Sequence, residues 1–425
     1  MSTPTATVAT EDRSPAASKG PVFVAGLAIA QLGLFMALFA PIMIGMAIKA
    51  GSIAQTDTEL TTIVGNVLGY GAIGAFLGNS LFGRLSDRSR SRFGMRRPYM
   101  IAGVLVMAGA FFMIAVAADV WMLALGWFVA QFGANAAYGP FTATLADQLP
   151  EKQHARVSAL IGIMQNVAIF AATWIASLLS SNILAMFMVP AVIGVIAVVA
   201  YAFVLPDKVQ REKPEPFRFG MLAKTFWVNP VKYPDFGFAW WSRFLVIAAN
   251  MLFITFRFPY VMNRMGVPAE EVPAVVSQGV LWYTITLIAS GYIAGWLSDR
   301  IGRRKVFVFA SSAIFAVGTY MLLHIDSVGQ FYLVEAFIGI GYGIYMSIDL
   351  ALVLQILPNT KERGKDLGVF NIANALPSSL APFIGAWLLA LGATGGMPNY
   401  ELLLIAAALA ALAGAFIILP IKKVK

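Results

Sequence analysis

The sequence predicts an all-α membrane protein, with twelve transmembrane helices arranged as two six-helix bundles. Composition is the first reason, because 59% of the 425 residues are hydrophobic and only 12% are charged. A soluble domain of that composition would expose a very large apolar surface. The second reason is that twelve apolar stretches have the length of a membrane span. The third is a polar loop sequence that occurs twice, 212 residues apart, which indicates two related halves.

Each of the twelve apolar stretches is long enough to cross about 30 Å of hydrocarbon. The spans are expected at 21–49, 60–83, 98–118, 121–146, 155–180, 183–205, 236–263, 272–298, 305–324, 328–356, 366–391 and 398–420. They form an N-terminal bundle over 21–205 and a C-terminal bundle over 236–421. Residues 1–20 are expected to form a disordered cytoplasmic tail, and residues 422–425 a short basic tail. The linker, 206–235, is either an unstructured connector or includes a short helix on the membrane surface.

The distribution of positive charge indicates how the chain lies in the membrane. The net charge is +9, and 26 of the 30 Lys and Arg residues fall on one side of the predicted spans. The other four are Lys49, Arg243, Arg257 and Arg264. The positive-inside rule then places both termini in the cytoplasm of a multi-pass cell-membrane protein. Because topology accounts for the charge, nucleic acid is not an expected partner.

The sequence offers little for a cofactor or for catalysis. It has no cysteine, and its two histidines, His154 and His324, are too few for a metal cluster. It has no Gly-x-x-x-x-Gly-Lys-Ser/Thr phosphate-binding loop and no catalytic triad. We therefore expect no cofactor, no bound metal and no enzymatic activity.

The repeated loop is the strongest motif in the chain. Its two copies are Gly83-Arg-Leu-Ser-Asp87-Arg88 and Gly295-Trp-Leu-Ser-Asp299-Arg300. Duplicated halves are typical of membrane transporters, and both copies resemble the signature loop of the major facilitator superfamily. That resemblance implies the major facilitator fold and assigns the glycines, aspartates and arginines of the two loops to gating. We expect the aspartates to accept hydrogen bonds from the amides of another helix on the cytoplasmic side. A single basic loop would indicate topology only.

Three segments resemble the sucrose-transporter and glycoside-pentoside-hexuronide branch of that superfamily. They are the loop that continues through Ser91-Arg-Phe-Gly94 and Arg96-Arg-Pro-Tyr99, the fourth-helix pair Asn135-Ala-Ala-Tyr-Gly-Pro140 and Leu145-Ala-Asp147, and the eleventh-helix segment Leu367-Gly-Val-Phe-Asn371. Two departures bear on mechanism. The second span has no acidic residue between Thr62 and Phe82, so the sodium site of that branch is not expected. Thr142 stands where plant-type sucrose carriers have an arginine.

Ionisable residues inside spans are candidates for function, because each is costly in a membrane unless it faces a partner or a cavity. Asp349 lies roughly 9 Å inside the cytoplasmic end of the tenth span, so it is the first candidate for a proton site. Glu335, in the outer third of that span, is the second. Arg257 is a candidate for gripping an anionic or hydroxyl-rich solute, or for pairing with an acid to couple proton and solute. The alternative is an arginine that extends to the outer membrane surface. The alternative for Asp349 is a structural ion pair with the seventh or eleventh helix, and Arg243 is interpreted as a topology charge.

Neutral polar residues on the expected cavity helices predict a binding site for a polar solute. With Arg257, they are Gln31, Asn135, Tyr138, Gln165, Asn166, Asn250, Tyr283, Asn371 and Asn374. Amides hydrogen-bond hydroxyl groups at fixed angles, and aromatic rings stack on the C–H faces of sugars. Hydrogen bonds between packed helices are the alternative for each residue.

Together with the resemblance, these residues lead us to expect a secondary transporter that works by alternating access. The expected activity is proton-coupled symport of a small polar solute, a sugar or glycoside first, by a monomer in the lipid bilayer. One alternative is a proton-coupled antiporter that exports an amphipathic compound. Another is an assembly factor or sensor with the same fold that transports nothing.

Overall fold

The computed structural model describes residues 19–207, 232–356 and 363–422. These residues form twelve helices long and apolar enough to cross a membrane, which confirms the predicted fold class. The helices are α1 Pro21–Gly51, α2 Asp57–Asp87, α3 Arg97–Val116, α4 Val120–Gln148, α5 Glu151–Leu178, α6 Ile183–Val204, α7 Pro234–Arg264, α8 Val272–Ile301, α9 Arg304–Met321, α10 Val328–Ile356, α11 Arg363–Ala390 and α12 Tyr400–Ile417. Most of the predicted tail 1–20, the surface helix of the linker and the end of the basic tail lie outside the described residues.

Polar residues between the apolar runs define where several helices begin. The Thr56 side chain accepts a hydrogen bond from the Glu59 amide and caps α2. Asp119 caps α4, Asn182 caps α6 and Asn399 caps α12 in the same manner. Such caps satisfy amides that have no partner within the helix. These four side chains therefore fix where their helices begin.

The first helix of each half contains a π-helical turn near its end. In α1 the turn is Pro41–Gly45, and in α7 it is Tyr260–Arg264, directly after Pro259. A basic side chain follows or ends each turn and binds a carbonyl near the end of the third helix of the same half. Lys49 donates from Nζ to the carbonyl of Ala115 at 3.0 Å, and Arg264 donates from Nη2 to that of Leu323 at 3.3 Å. The two halves thus share a feature that no sequence motif marks.

The two halves are in direct contact at one end of the molecule. We call the end with the two arginine-rich loops the basic end, and the opposite end the far end. Near the far end, α2 packs so closely on α11 that a Cβ atom on Gly65 would lie 2.5 Å from the carbonyl oxygen of Pro382. Gly69 likewise lies against the ring of Phe383. At the rim, the Thr58 hydroxyl donates to the carbonyl of Gly396 at 2.8 Å.

The face of α11 that closes against α2 at the far end is uncovered toward the basic end. Successive residues of an α-helix are rotated by about 100°, which puts Asn371, Ala375, Ser378 and Pro382 on one face. Pro382 lies in the contact with α2, whereas Asn371 and Ala375 are exposed. The opposite face carries the exposed apolar side chains of Leu376, Leu380, Ile384 and Trp387. The polar face, which is directed toward the other half, is therefore uncovered toward the basic end, and we call the space beside it the cleft.

Candidate functional site

Asp349 is fully buried and forms an ion pair with Arg243. Arg243 Nη1 lies 2.8 Å from Asp349 Oδ2, and the two side chains are 10% and 2% exposed. The Tyr345 hydroxyl donates to the other carboxylate oxygen at 3.2 Å. The pair joins α7 to α10, so Asp349 has the partner on the seventh helix that the sequence left as an alternative. Arg243, interpreted from the sequence as a topology charge, lies at the centre of the site.

The same arginine connects Asp349 to the cleft. Arg243 Nε donates to Asn374 Oδ1 at 2.8 Å, and Asn374 Nδ2 donates to Asn371 Oδ1 at 3.3 Å. The guanidinium also lies over the ring of Phe370, 4.7 Å from its centroid. Asn371 is exposed and Asn374 is half-buried. A polar chain therefore runs from a buried carboxylate to the surface of the cleft, and it includes two of the predicted binding residues.

Arg257 and Glu335 form a second ion pair that is more deeply buried. Arg257 Nε lies 2.8 Å from Glu335 Oε1, with 2% and 0% of the side chains exposed. The guanidinium lies 4.9 Å from the ring of Phe253 and 5.3 Å from that of Tyr283. The Tyr283 hydroxyl donates in turn to Asn250 Oδ1 at 3.4 Å. The structure thus brings together four of the predicted site residues on α7, α8 and α10.

The two ion pairs occupy one antiparallel pair of helices. Fourteen residues separate Arg243 from Arg257 on α7, and fourteen separate Glu335 from Asp349 on α10. That spacing corresponds to about 21 Å along a helix. Both carboxylates predicted for proton coupling are therefore neutralised by an arginine of the same neighbouring helix. Removing one partner of such a buried pair costs about 3–5 kcal/mol, because the other charge is left uncompensated.

The predicted residues of the N-terminal half make mostly local contacts. Asn135 donates to the carbonyl of Gln131 at 2.9 Å, and Asn166 donates to that of Gly162 at 3.0 Å, each within its own helix. Tyr138 packs edge-on against Phe35 and is half-buried, as is Gln165. Gln31 is fully buried, and its amide lies beside the Tyr138 hydroxyl of α4.

The aspartates of the repeated loops bind arginines of their own half. Asp87 lies 2.5 Å from Arg96 Nη1, and Arg96 also pairs with Asp147 of α4 at 2.9 Å. Asp299 pairs with Arg304 at 2.9 Å. Close to these aspartates, Gly83 has no neighbour within 4 Å of a would-be Cβ, and Arg300 lies over the Trp296 ring. Among the described residues, the ion pairs of both aspartates stay within their own half.

The first loop is also attached to the end of α6. Asp207 Oδ2 accepts hydrogen bonds from the amides of Arg96 and Arg97, at 2.7 and 2.9 Å, and so caps α3. Gly94 has a φ of +103°, and a side chain there would collide with the Asp207 carboxylate. The glycine of the Ser-Arg-Phe-Gly segment is therefore required by both its backbone conformation and the closeness of Asp207.

Sequence reasoning missed Arg243, Tyr345 and Arg96 as parts of these networks. The sequence signal that could have indicated Arg243 is the equal spacing of the two arginines and of the two acids. Equal spacing places both pairs in register on antiparallel helices. The described residues include no group of three or more His, Asp or Glu side chains that could bind a metal ion.

Comparisons with known proteins agree with this architecture. The structure resembles the crystal structure of the nucleoside transporter NupG with a TM-score of 0.73 and 13% identity, over 95% of this chain and 100% of NupG. It resembles a bacterial homologue of the human lysosomal transporter Spinster, in an inward-facing and occupied conformation, with a TM-score of 0.64 and 12% identity, over 94% and 95% of the two chains. At these identities the likeness concerns the fold alone.

Sequence relatives match over shorter stretches. An uncharacterised MFS-type transporter of Bacillus subtilis (strain 168) is 33% identical over 117 residues, which cover 28% of this chain and 22% of the relative. The inner membrane metabolite transport protein YhjE of Escherichia coli (strain K12) is 27% identical over 183 residues, or 41% and 39% of the two chains. Multidrug resistance protein 3 of Bacillus subtilis (strain 168) is 32% identical over 104 residues, or 24% and 20%. These matches span less than half of each relative.

The family comparison covers far more of the chain. The Major Facilitator Superfamily profile matches residues 23–282 and 273–425, so it covers both bundles. The profile, the twelve helices and the paired loops agree, and the chain belongs to the Major Facilitator Superfamily.

Proposed function

We propose that the protein is a secondary transporter that moves a small polar solute by proton-coupled symport with alternating access. The observation that carries the proposal is the polar chain from Asp349 through Arg243 and Asn374 to Asn371. A buried carboxylate that can exchange a proton is there connected to amides at the surface of a cleft. This connection gives protonation a direct effect on the groups that would bind the solute.

The basic end is assigned to the cytoplasm by the positive-inside rule. With that orientation the cleft opens inward, and the far-end contact of Gly65 and Gly69 with α11 closes the outer side. We assign the structure to the inward-open stage of the transport cycle, in which solute and proton leave on the cytoplasmic side.

Asp349 is the proposed coupling group, and Glu335 is the second. Both are held by arginines that cannot lose their own protons, so each carboxylate is the member of its pair that changes charge. Both carboxylates are buried, but Asp349 is linked to the cleft through Arg243 and Asn374. Protonation of Asp349 would therefore follow access from the cytoplasmic side in this state.

A sugar or glycoside is the proposed solute. Support comes from the amides at the cleft and from the resemblance of three segments to the sucrose and glycoside branch. The relatives named above are described as metabolite and multidrug transporters, and the latter favour the second candidate, a proton antiporter that exports an amphipathic compound. A pH gradient that is acidic outside drives accumulation by a symporter and expulsion by an antiporter, which separates the two.

The test uses proteoliposomes with an imposed pH gradient and a panel of radiolabelled monosaccharides and glycosides. Asp349→Asn should abolish accumulation but retain downhill exchange, since the amide imitates the protonated carboxyl. Asp326→Asn, an exposed acid between α9 and α10, is the matched control and should transport normally. Undiminished accumulation by the Asp349→Asn variant would remove Asp349 from coupling. Loss of accumulation in the Glu335→Gln variant alone would assign coupling to the Arg257–Glu335 pair. Uptake that follows a sodium gradient would contradict proton symport.

A further inference from the structure

The C-terminal half holds a balanced set of buried charges. Away from the helix ends, the buried charged side chains of the described residues are Arg243, Arg257, Glu335 and Asp349. Their charges cancel as two pairs. A guanidinium keeps its proton in proteins, so a proton taken up by Asp349 leaves the charge of Arg243 without a counter-charge. Such a charge in a water-poor interior is strongly unfavourable.

No neighbour of Asp349 supplies a replacement charge in the part of the chain that the structure describes. The charged and titratable groups that face it are Arg243 of α7 and Tyr345 and Tyr342 of α10. From α11, only the neutral amide of Asn374 contributes, by way of Arg243. The second pair is closed on itself, because Glu335 faces Arg257. An anion that enters from the cleft would supply the missing charge.

Arg243 is within reach of such an anion. Its side chain is 10% exposed, and Asn374 and Asn371 extend its hydrogen bonds to the exposed face of α11. Guanidinium groups bind planar carboxylates through two parallel N–H···O bonds. An incoming carboxylate would present to Arg243 the same chemical group that Asp349 presents in this structure.

We propose that the transported solute bears a carboxylate, and that this carboxylate binds Arg243 when Asp349 is protonated. The inference rests on the proposed proton-coupled transport and gives its substrate class. Proton and monoanionic solute then cross the membrane together without net charge. When the proton leaves Asp349, the Arg243–Asp349 pair forms again and displaces the carboxylate of the solute.

The test compares two probes that differ in one group. D-gluconate carries a carboxylate where D-sorbitol carries an alcohol, and the remaining carbons and hydroxyls match. The purified Asp349→Asn variant imitates the protonated site, and binding is followed through its unfolding temperature at constant ionic strength. Gluconate should stabilise this variant and bind about tenfold more tightly than sorbitol, a ratio that one charge-assisted hydrogen-bond pair supports.

Two double variants show whether Arg243 is responsible. Arg243→Gln with Asp349→Asn should lose the preference for gluconate. Arg264→Gln with Asp349→Asn should keep it, because Arg264 is an exposed arginine at the far end. Equal responses to gluconate and sorbitol, or a preference that survives Arg243→Gln, would overturn the proposal. A response to D-glucose 6-phosphate without one to gluconate would replace the carboxylate by a phosphate.

The unaltered protein provides a second measurement that does not depend on the folding of a variant. Gluconate stays ionised between pH 5 and pH 8, so any change in its binding reports on the protein. Stabilisation of the wild type should increase as the pH falls, since Asp349 then releases Arg243. An effect that is absent or increases with pH would contradict the inference. Because this readout needs no transport, it separates failure of the carboxylate site from failure of the symport proposal.

Discussion

At the scale of single residues, the Arg243–Asp349 pair determines what substitutions at this site do. The two side chains are almost inaccessible and share their hydrogen bonds with Tyr345 and Asn374. Buried ion pairs of this kind add little stability compared with neutral groups of the same shape, but half of a pair is costly. Either single variant should therefore be much less stable than the double variant.

We predict that Arg243→Gln lowers the free energy of unfolding by about 3–5 kcal/mol, because it leaves a buried carboxylate unpaired. The double variant Arg243→Gln with Asp349→Asn should recover most of that loss, since two amides can hydrogen-bond each other. Chemical unfolding in detergent, monitored by tryptophan fluorescence, measures all members of the cycle. Additive losses in the double variant would show that the two residues do not interact.

The sequence was sufficient to predict the depth of Asp349 but not its environment. Hydropathy places an acid within a span, and counting along the helix gives its distance from the end. The partner is more than a hundred residues away in the sequence, and an arginine near a basic linker resembles a topology charge. Asn374 joins the site only because α7 and α11 pack together, which no local pattern encodes. Tyr345 is different, since it lies four residues before Asp349 on α10, a spacing that places the two side chains on one helix face.

At the scale of secondary-structure elements, the beginning of α3 shows how a loop is tied to a distant helix. Asp207, just after α6, caps α3 through the amides of Arg96 and Arg97. In addition, Arg97 Nη2 donates a hydrogen bond to the carbonyl of Leu205. The arginine-rich loop is therefore fixed at the point where the chain leaves the N-terminal bundle for the linker.

We predict that Gly94→Ala destabilises the protein by about 1–3 kcal/mol, the usual cost of a strained backbone conformation. The added Cβ would also displace the Asp207 carboxylate from the two amides. Gly109→Ala is the control within α3, because nothing lies within 4 Å of its Cβ position. In a helix interior that change should stabilise by about 0.5–1 kcal/mol. Thermal unfolding of the two variants provides the comparison, and equal behaviour would contradict the capping account.

The twelve helices could be predicted from the composition of the chain, whereas the details of the helix ends could not. Twelve apolar runs separated by polar residues were enough to predict the twelve helices, because a membrane leaves few other ways to satisfy the backbone. The π turns in α1 and α7 each adjoin a proline, Pro41 and Pro259, but a proline in a helix predicts a bend and not a π turn. Asp87 and Asp299 bind arginines of their own half, and the contact with helix amides that the sequence predicts for the outward-facing state stays a prediction.

At the scale of the whole molecule, the halves are held together at the far end and apart at the basic end. The far-end rim offers a direct probe of this state, since a Cβ atom on Gly396 would lie 3.8 Å from the Cβ of Thr56. Cβ atoms of natural disulfides are separated by about 3.8 Å. The two positions belong to different halves, and the native chain has no cysteine.

We predict that Thr56→Cys with Gly396→Cys forms a disulfide under mild oxidation and stops transport until it is reduced. Cysteine at position 396 has to accept a φ of +83°, so the yield depends on the strength of the oxidant. The matched control is Thr56→Cys with Gly395→Cys, because no atom lies within 4 Å of that Cβ position. Equal crosslinking in the two variants would contradict the far-end contact, and transport by the crosslinked protein would contradict alternating access.

The π turns have a consequence for orientation along the first helix of each half. A π turn holds one residue more than an α-helical turn, and each residue rotates a helix by about 100°. The extra residue in Pro41–Gly45 thus acts as an angular spacer that aims Lys49 at the last carbonyls of α3, and the turn in α7 aims Arg264 at the end of α9. Without it, each cation would swing away from the negative pole of a helix dipole. The additional residue in each π turn thus determines how the first and third helices of each half are held together.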